Sequence, residues 1–211
     1  MIPSVSSSQF FFSLQKKGVR MSKILLVVGA TGVGKTTIIK HLINLDKRFI
    51  YISPFTTRPS RGVDDDKIVV NDVTIDNMWR KGEFLCINHV YGTRCATPRQ
   101  PIEQALKEGN FHVLYWPIGR VSVMTAAFPN QLYIVYVLPP SIEALQQRLV
   151  RDDRDAKGHR LRSARKELEM LESSRYSEIY DFEIVSEENQ VSKVAQTIYA
   201  NYLRQLFPQQ P

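Results

Sequence analysis

The stretch Gly29-Ala30-Thr31-Gly32-Val33-Gly34-Lys35-Thr36 has the residue types and the spacing of a phosphate-binding loop. It fits the pattern G-x-x-x-x-G-K-[ST], whose glycines let backbone N–H groups converge on phosphate oxygens. We expect Lys35 to bridge the terminal phosphates and the Thr36 hydroxyl to face Mg²⁺. An apolar run precedes the loop and a helical pattern follows it, which is the context that this pattern requires. The expected ligand is a nucleoside triphosphate; the alternative is a glycine-rich turn that only begins a helix.

A second group of side chains could bind another anion. Arg58 and Arg61 lie three residues apart in Thr56-Thr57-Arg58-Pro59-Ser60-Arg61, where two guanidinium groups could hold one phosphate through paired hydrogen bonds. Tyr91 and Thr93 could reach the same anion with a phenol and a hydroxyl. Further arginines surround the segment after Leu149: Arg148, Arg151, Arg154, Arg160 and Arg162. This last group has an alternative interpretation as a solvated charged surface.

Strands and helices alternate along the body of the chain. Apolar runs predict strands over 24–28, 49–53, 113–116, 132–138 and 182–185, with a short strand possible over 68–70 in a segment that is mostly loop. Apolar residues at helical spacing predict helices from Lys35, over 75–81, 101–108 and 160–173, after the N-cap candidate Ser141, and from Val191 to Tyr202. The alternation predicts an α/β fold with a mostly parallel sheet flanked by helices.

Composition excludes several classes of protein. The chain has 211 residues, 43% hydrophobic and 23% charged, so we expect one globular domain with a substantial core rather than a disordered chain. No apolar run approaches the roughly 18–20 residues that span a bilayer. Two cysteines, Cys86 and Cys95, are too few for a disulfide framework, which favours a reducing, cytoplasmic setting. The net charge of +7 suits a polyanionic ligand but does not separate nucleic acid from a nucleotide phosphate.

Residues 1–20 differ from the rest of the chain. They contain five serines, three consecutive phenylalanines and three basic residues, and they contain no acidic residue. Without them 25 basic and 21 acidic residues remain, a net charge of +4, and this small excess argues against a nucleic-acid partner. The segment is an N-terminal extension with two interpretations: a targeting sequence, or an over-called start that makes Met21 the first residue.

In its motifs the chain resembles the guanylate kinase family of P-loop nucleoside monophosphate kinases, from Val27 to about Ile184. The matching stretches, in chain order, are the phosphate loop, Thr56-Thr57-Arg58-Pro59 with Arg61, Gly82-Glu83-Phe84-Leu85, Tyr91-Gly92-Thr93, Leu138-Pro139-Pro140-Ser141 with Leu145 and Arg148-Leu149, Arg160-Leu161 before Ala164 and Glu167, and Tyr180-Asp181-Phe182. The Thr-Thr-Arg-Pro stretch combined with Leu-Pro-Pro-Ser is an especially specific part of this resemblance.

The resemblance implies a molecule of three parts. A P-loop NTPase core, residues 21–53 and 101–207, would bind ATP with Mg²⁺ at Thr36. A small inserted domain, residues 54–100, would bind a nucleoside monophosphate, and a lid at about 151–165 would supply arginines. In this family the positions of Arg58, Arg61 and Tyr91 hold the acceptor phosphate, and the position of Thr93 touches the base. The residues implied for catalysis are Lys35, Arg58, Arg148, Arg151 (or Arg154) and Arg160.

The positions that read the base depart from the family pattern. Cys86 stands where the family has a glutamate that accepts hydrogen bonds from guanine, and Pro54 stands where a serine contacts the base. Tyr115 and Pro117 replace an aspartate pair that is tied to guanine and to the water shell of the metal. A phosphate-binding tyrosine is replaced near Ile68, and the lid is a few residues shorter. Each guanine N–H donor left unpaired would cost about 1–3 kcal/mol of recognition.

Three functions remain open at this point. The favoured one is a divergent guanylate kinase that transfers the γ-phosphoryl group of ATP to GMP or dGMP. The second is a related small-molecule kinase such as a ribose 1,5-bisphosphate phosphokinase, which lacks the guanine-binding carboxylates. The third is a non-catalytic binding module, against which the intact Lys35 and Thr36 argue. The expected partners are ATP and a phosphorylated acceptor, without nucleic acid or membrane, for a monomer or homodimer.

Overall fold

The computed structural model describes residues 23–207 apart from 61, 63–65, 109, 152–154, 156–157 and 173–178. The strands are β1 (Ile24–Gly29), β2 (Phe49–Tyr51), β3 (Phe55–Thr56), β4 (Ile68–Val69), β5 (Phe84–Val90), β6 (Thr93–Pro98), β7 (Phe111–Trp116), β8 (Leu132–Leu138) and β9 (Phe182–Val185). The helices are α1 (Lys35–Leu45), α2 (Asp72–Arg80), α3 (Arg99–Ala105), α4 (Val121–Ala127), α5 (Ile142–Arg151), α6 (His159–Glu172) and α7 (Val191–Leu206), with a 3₁₀ turn at Ile118–Arg120. The N-terminal extension lies outside the described residues. In the described part of the chain, no helix combines the length and apolarity needed to cross a membrane.

Five strands form a parallel sheet in the order β2-β7-β1-β8-β9. β1 is the central strand and all six of its residues are buried. Its Leu25 lies opposite Val113 of β7 on one side and Tyr133 of β8 on the other. Parallel strands covered on both faces are continuous apolar runs in sequence, which is why the apolar pattern located them. The predicted α/β fold with a mostly parallel sheet is confirmed.

Two apolar layers fix this sheet. On one face, Ile38 and Leu42 of α1 pack with Ile198 and Tyr202 of α7. On the other face the layer includes Trp116, Ile102 of α3 and Met124 of α4. The buried Tyr202 hydroxyl donates a hydrogen bond to the Lys23 carbonyl just before β1. The sheet is therefore a rigid base for the loops at the carboxyl ends of its strands, where ligands bind in open α/β folds.

A second, four-stranded sheet comes from the segment between β2 and β7, with the order β4-β3-β6-β5. β5 and β6 form an antiparallel hairpin that turns at Tyr91-Gly92. Ile75 of α2 packs on one side of it against Phe84 and Ala96. This sheet carries Arg58, Tyr91 and Thr93 on its loops and strand ends.

Several elements differ from the sequence-based expectations. The hairpin was not predicted, because polar residues such as Asn88 and His89 interrupt its apolar pattern. The 3₁₀ turn and α4 were not predicted either. Helix α2 begins at Asp72 rather than at Ile75, because the Asn71 side chain accepts the Thr74 N–H at 2.8 Å and so caps the first turn.

Gly29 is expected to be the least replaceable glycine of β1 and its loop. It has φ 153°, and a Cβ added there would lie 2.4 Å from the Val137 carbonyl oxygen of the neighbouring strand. Gly29→Ala should therefore cost about 3 kcal/mol or more in unfolding free energy, from overpacking and backbone strain together. Gly82→Ala is the matched control, because Gly82 has φ 72° with nothing within 4 Å of the added Cβ, and it should cost only about 1–2 kcal/mol. Urea denaturation of both variants measures the difference, and equal losses would contradict the steric argument.

Candidate functional site: a phosphate loop facing a second cationic surface

The phosphate loop joins the buried end of β1 to the first turn of α1. Gly32 and Gly34 have φ 90° and 94°, in the left-handed region that glycine adopts without steric cost. Gly34 is the N-cap of α1, and no side chain caps the helix there. The first N–H groups of α1 therefore keep their capacity to bind an anion, and the helix dipole favours negative charge at this end. The loop lies between a buried strand and a helix, as its sequence predicted.

Lys35 is folded back over the loop from which it comes. Its half-buried ammonium donates hydrogen bonds to the carbonyls of Gly29 at 2.6 Å and Ala30 at 2.8 Å. Burial lowers the pKa of Lys35 to about 8; the nearby Glu167 carboxylate opposes this shift and the Lys67 cation adds to it. The ammonium is thus held at the phosphate loop by two backbone carbonyls, with a carboxylate and a second cation nearby.

Glu167, on α6, supplies a carboxylate at the same loop. It accepts a hydrogen bond from the Thr31 N–H, and the Ser163 hydroxyl approaches its Oε1 at 3.5 Å. Burial raises the pKa of Glu167, while the Lys35 cation opposes that rise. The sequence identified Glu167 only as part of a motif, because its contacts with the loop form across more than 130 residues of chain.

Thr36 faces a carboxylate that sequence reasoning missed. Its Oγ1 lies 3.3 Å from Oδ2 of Asp66, and the Tyr51 hydroxyl lies 3.3 Å from the same oxygen. Burial raises the pKa of Tyr51, and Tyr115 and Asp66 add to the rise. Asp66 comes from the loop between β3 and β4, so this contact joins the second sheet to the phosphate loop. The run Asp64-Asp65-Asp66 was visible in the sequence, but nothing in it indicated which carboxylate would reach Thr36.

The segment that forms the second sheet carries two cations, Lys67 and Arg58, near the Cys95 thiol. Lys67 Nζ lies 3.8 Å from Cys95 Sγ and 5.5 Å from the centre of the Tyr115 ring. Burial raises the pKa of Cys95, and the positive charges of Lys67 and Arg58 both oppose that rise, so both cations are close to this thiol. The Arg58 backbone N–H is held by the Thr56 hydroxyl at 3.2 Å. Lys67 was not predicted from the sequence, and Arg61 lies outside the described residues.

The structure brings one predicted lid arginine to a predicted acceptor residue. The Arg160 guanidinium lies over the Tyr91 ring, 4.7 Å from its centre. Tyr91 is exposed and has φ 51°, which places it at the tip of the β5–β6 turn. Thr93 follows that turn and donates a hydrogen bond to the Val90 carbonyl at 2.9 Å. Arg160 and Tyr91, which are far apart in sequence, thus contact each other at the turn between β5 and β6.

The other predicted lid arginines have different partners. Arg148 is buried; its Nε bonds Glu188 at 2.8 Å and its guanidinium also donates to the Ser186 carbonyl at 2.7 Å. Arg151 is mostly exposed and bonds the other oxygen of Glu188 at 2.7 Å. These contacts hold the end of α5 against the segment after β9. Arg154 lies outside the described residues, and Arg162 is in the first turns of α6.

The positions that departed from the family pattern have no carboxylate in their place. Cys86 and Pro54 are buried. Tyr115 stacks against Tyr51 with 6.3 Å between ring centres, and Pro117 follows the end of β7. Burial raises the pKa of Cys86, and the nearby Arg120 cation opposes this. Within the described residues, no three His, Cys, Asp or Glu side chains form a metal-binding group.

Comparison with known proteins identifies the family to which the chain is similar. The family model described as Guanylate kinase matches residues 21–205. A guanylate kinase from Nitrosomonas europaea is 28% identical over 195 residues, covering 90% of this chain and 96% of the relative. A guanylate kinase from Thermus thermophilus is 30% identical over 179 residues, covering 81% of this chain and 75% of the relative.

Solved structures show the same fold. The crystal structure of guanylate kinase from Anaplasma phagocytophilum superposes with a TM-score of 0.69 at 20% identity, covering 88% of this chain and 87% of that one. Shikimate kinase from Acinetobacter baumannii superposes with a TM-score of 0.51 at 18% identity, covering 90% and 97% of the two chains. With its phosphate loop and second sheet arranged as described and the family model matched from residue 21 to residue 205, the chain belongs to the guanylate kinase family.

Proposed function

We propose that the protein transfers the γ-phosphoryl group of ATP to GMP or dGMP. The observation that carries this proposal is the convergence of cations from two separate segments. The Lys67 cation lies close enough to Lys35 of the phosphate loop to affect its pKa, after the larger effect of burial, and Lys67 shares the Cys95 thiol as a neighbour with Arg58. A phosphate-bearing ligand on each side would interact favourably with these charges. The relatives that are named guanylate kinases support the choice of donor and acceptor.

The residues take the following roles in this proposal. The backbone of residues 29–36 and the Lys35 ammonium bind the phosphates of ATP. Arg58, Arg61, Tyr91 and Thr93 bind the acceptor, and the second sheet with its loops, residues 54–100, is the acceptor-binding part. Arg148, Arg151 and Arg160 would stabilise the transferring phosphoryl group, with Arg151 and Arg160 in the lid at about 151–165. We place the protein in the cytoplasm, as a monomer or homodimer, with residues 1–20 as an extension outside the catalytic unit.

The reaction needs little covalent chemistry from the protein. An oxygen of the acceptor phosphate attacks the γ-phosphorus in line, the bond to the β–γ bridging oxygen breaks, and ADP leaves with that electron pair. The attacking oxygen is already anionic, so no general base is required. The protein holds the two polyanions in line and neutralises the charge between them, and orientation and preorganised charge supply the rate enhancement.

A magnesium ion fits the donor chemistry at Thr36. Mg²⁺ prefers hard oxygen ligands and usually retains several waters beside the phosphates of the substrate. The Thr36 side chain offers a hydroxyl oxygen at the start of α1, and the hydroxyl bonds a carboxylate oxygen. When bound, the metal would neutralise part of the negative charge of the phosphates. Thr36 is the residue that would hold it.

A second acceptor is favoured by one specific observation. A pocket of about 490 Å³ beside Cys86 is lined by residues that include Arg94, Arg120 and His89 and that include no aspartate or glutamate among the described residues. Arg94 already pairs with Asp72 and Asp76, so Arg120 is the more available charge. Because arginines and no carboxylate line this pocket beside Cys86, a doubly phosphorylated sugar such as ribose 1,5-bisphosphate is the second candidate acceptor.

Phosphoryl transfer to GMP is the direct test of the proposed function. Purified protein with MgATP should convert GMP or dGMP to the diphosphate, as measured by product chromatography over a panel that includes AMP, UMP and ribose 1,5-bisphosphate. Lys35→Ala should keep the fold, measured by circular dichroism, and should lose transfer by several orders of magnitude, because a charge contact in a partly desolvated site is removed. A Lys35→Ala variant within threefold of the parent would contradict the assignment of the phosphate loop.

Base selectivity should be weak because the phosphate contacts are intact while the guanine acceptors are not. We expect kcat/KM for GMP to exceed that for AMP by less than about a hundredfold, or roughly 3 kcal/mol. Cys86→Glu restores one carboxylate and should increase the ratio. A parent enzyme that rejects AMP by more than about ten-thousandfold would show that guanine is bound by other groups.

ATP affinity should depend on the charge of Lys35. With its pKa lowered to about 8, Lys35 is charged below pH 8 and loses its proton above it. ATP binding favours the ammonium, so Kd for ATP should be lowest near pH 7.5 and should rise by up to about tenfold per pH unit above pH 8. Isothermal titration calorimetry between pH 7.5 and 9.5 measures this. Lys35→Met is the control and should show weak binding that does not change over the same range; a parent Kd that is also constant would refute the lowered pKa.

A further inference from the structure

Asp66 is the carboxylate that meets the phosphate loop from the second sheet. Its Oδ2 lies 3.3 Å from Thr36 Oγ1 and 3.3 Å from the Tyr51 hydroxyl. Thr36 and Asp66 are thirty residues apart in sequence. The carboxylate is half-buried, so its position is set by tertiary structure rather than by its neighbours in the acidic run.

The spacing of the two oxygens fits one metal ion. Octahedral Mg²⁺ has ligand oxygens at about 2.0–2.1 Å, so two adjacent ligands are about 3 Å apart. The distance of 3.3 Å between Thr36 Oγ1 and Asp66 Oδ2 needs a shift of only a few tenths of an ångström to reach that value. Both atoms are hard oxygen donors, and Mg²⁺ typically takes one or two carboxylates beside substrate phosphates.

The other carboxylate at the loop is directed elsewhere. Glu167 accepts the Thr31 N–H and acts on the Lys35 ammonium, so it lies on the cationic side of the loop. The residues that follow β1, β7 and β8 are Ala30, Pro117 and Pro139, none of which carries a carboxylate. After β9, the Glu188 carboxylate accepts hydrogen bonds from Arg148 and Arg151. Among the residues that the structure describes, Asp66 is the carboxylate that accepts a hydrogen bond from the Thr36 hydroxyl.

We propose that Asp66 supplies the carboxylate of the Mg²⁺ site, beside the Thr36 hydroxyl. The inference rests on the proposed function to the extent that ATP must bind at the phosphate loop. It adds a connection between the two ligands, because Asp66 lies in the same connection between β3 and β4 as Arg58, which the proposal assigns to the acceptor.

The test is the effect of Mg²⁺ on ATP affinity, measured without acceptor. Titration calorimetry gives Kd for ATP in EDTA and in excess Mg²⁺, and the ratio of the two is the metal coupling. Asp66→Asn should reduce this coupling at least tenfold, while affinity for metal-free ATP stays the same or increases, because a negative charge near the phosphates is removed. Mn²⁺ binding to the protein–ATP complex, followed by electron paramagnetic resonance, should weaken in parallel.

Two variants control for structural effects. Asp76→Asn also removes a carboxylate from the second-sheet region, but Asp76 bonds Arg94 at 2.7 Å and not the phosphate loop, so its metal coupling should match the parent. Asp66→Glu keeps a carboxylate and should retain more of the coupling than Asp66→Asn. Thermal melts identify any variant that is unfolded. If Asp66→Asn does not fold, the metal coupling of Asp66→Glu is compared with that of the parent to test the inference.

Three results would overturn the inference. Coupling within twofold of the parent in Asp66→Asn would exclude Asp66 from the metal site. An equal loss of affinity with and without Mg²⁺ would make Asp66 a residue that only positions the loop. Absence of ATP binding in the parent would overturn this inference and the proposed function together, whereas normal metal coupling without GMP turnover would overturn the proposed function alone.

Discussion

Repulsion between like charges is the constraint on which this structure depends. A donor and an acceptor that both carry phosphates repel each other, so a kinase must place cations between them before either arrives. Here burial lowers the pKa of Lys35 to about 8, and the nearby Lys67 cation adds to this effect. Two carboxylates, Glu167 and Asp66, offset part of this concentration of positive charge. Phosphate groups bound beside these cations would offset the remaining positive charge.

The fold meets this constraint by supplying the charges from separate segments. The parallel sheet fixes the phosphate loop at the end of its central strand, where Gly29 has no space for a side chain. The second sheet is built from an excursion between β2 and β7 and carries Arg58 and Lys67 on the opposite side. The two surfaces contact each other through Asp66 and Thr36, and through the approach of Lys67 to Tyr115. The loop that carries Asp66 belongs to the second sheet and contacts the phosphate loop, so it is positioned to link the binding of the two substrates.

The features that could be predicted from the sequence are those whose residues all lie in one continuous stretch of the chain. The phosphate loop is eight consecutive residues, and β8 over 132–138 is one apolar run, so local pattern was sufficient. The β5–β6 hairpin was missed because polar residues interrupt the apolar pattern of its strands. Asp66, Lys67 and Glu167 were missed as site residues because only tertiary contacts distinguish them from other surface charges. The bonds of Arg148 to Glu188 and the Ser186 carbonyl could not be predicted either, because these partners lie about forty residues away in sequence.

The central claim is that two phosphate sites face each other across one transfer distance. The most direct measurement is the affinity of a nucleotide in which adenosine and guanosine are joined 5′ to 5′ by five phosphates, one more than ATP and GMP carry together. If both sites are real and in line, this ligand should bind at least about a hundredfold more tightly than ATP or GMP alone, because the second contact becomes intramolecular. Binding no tighter than that of ATP alone would contradict the account.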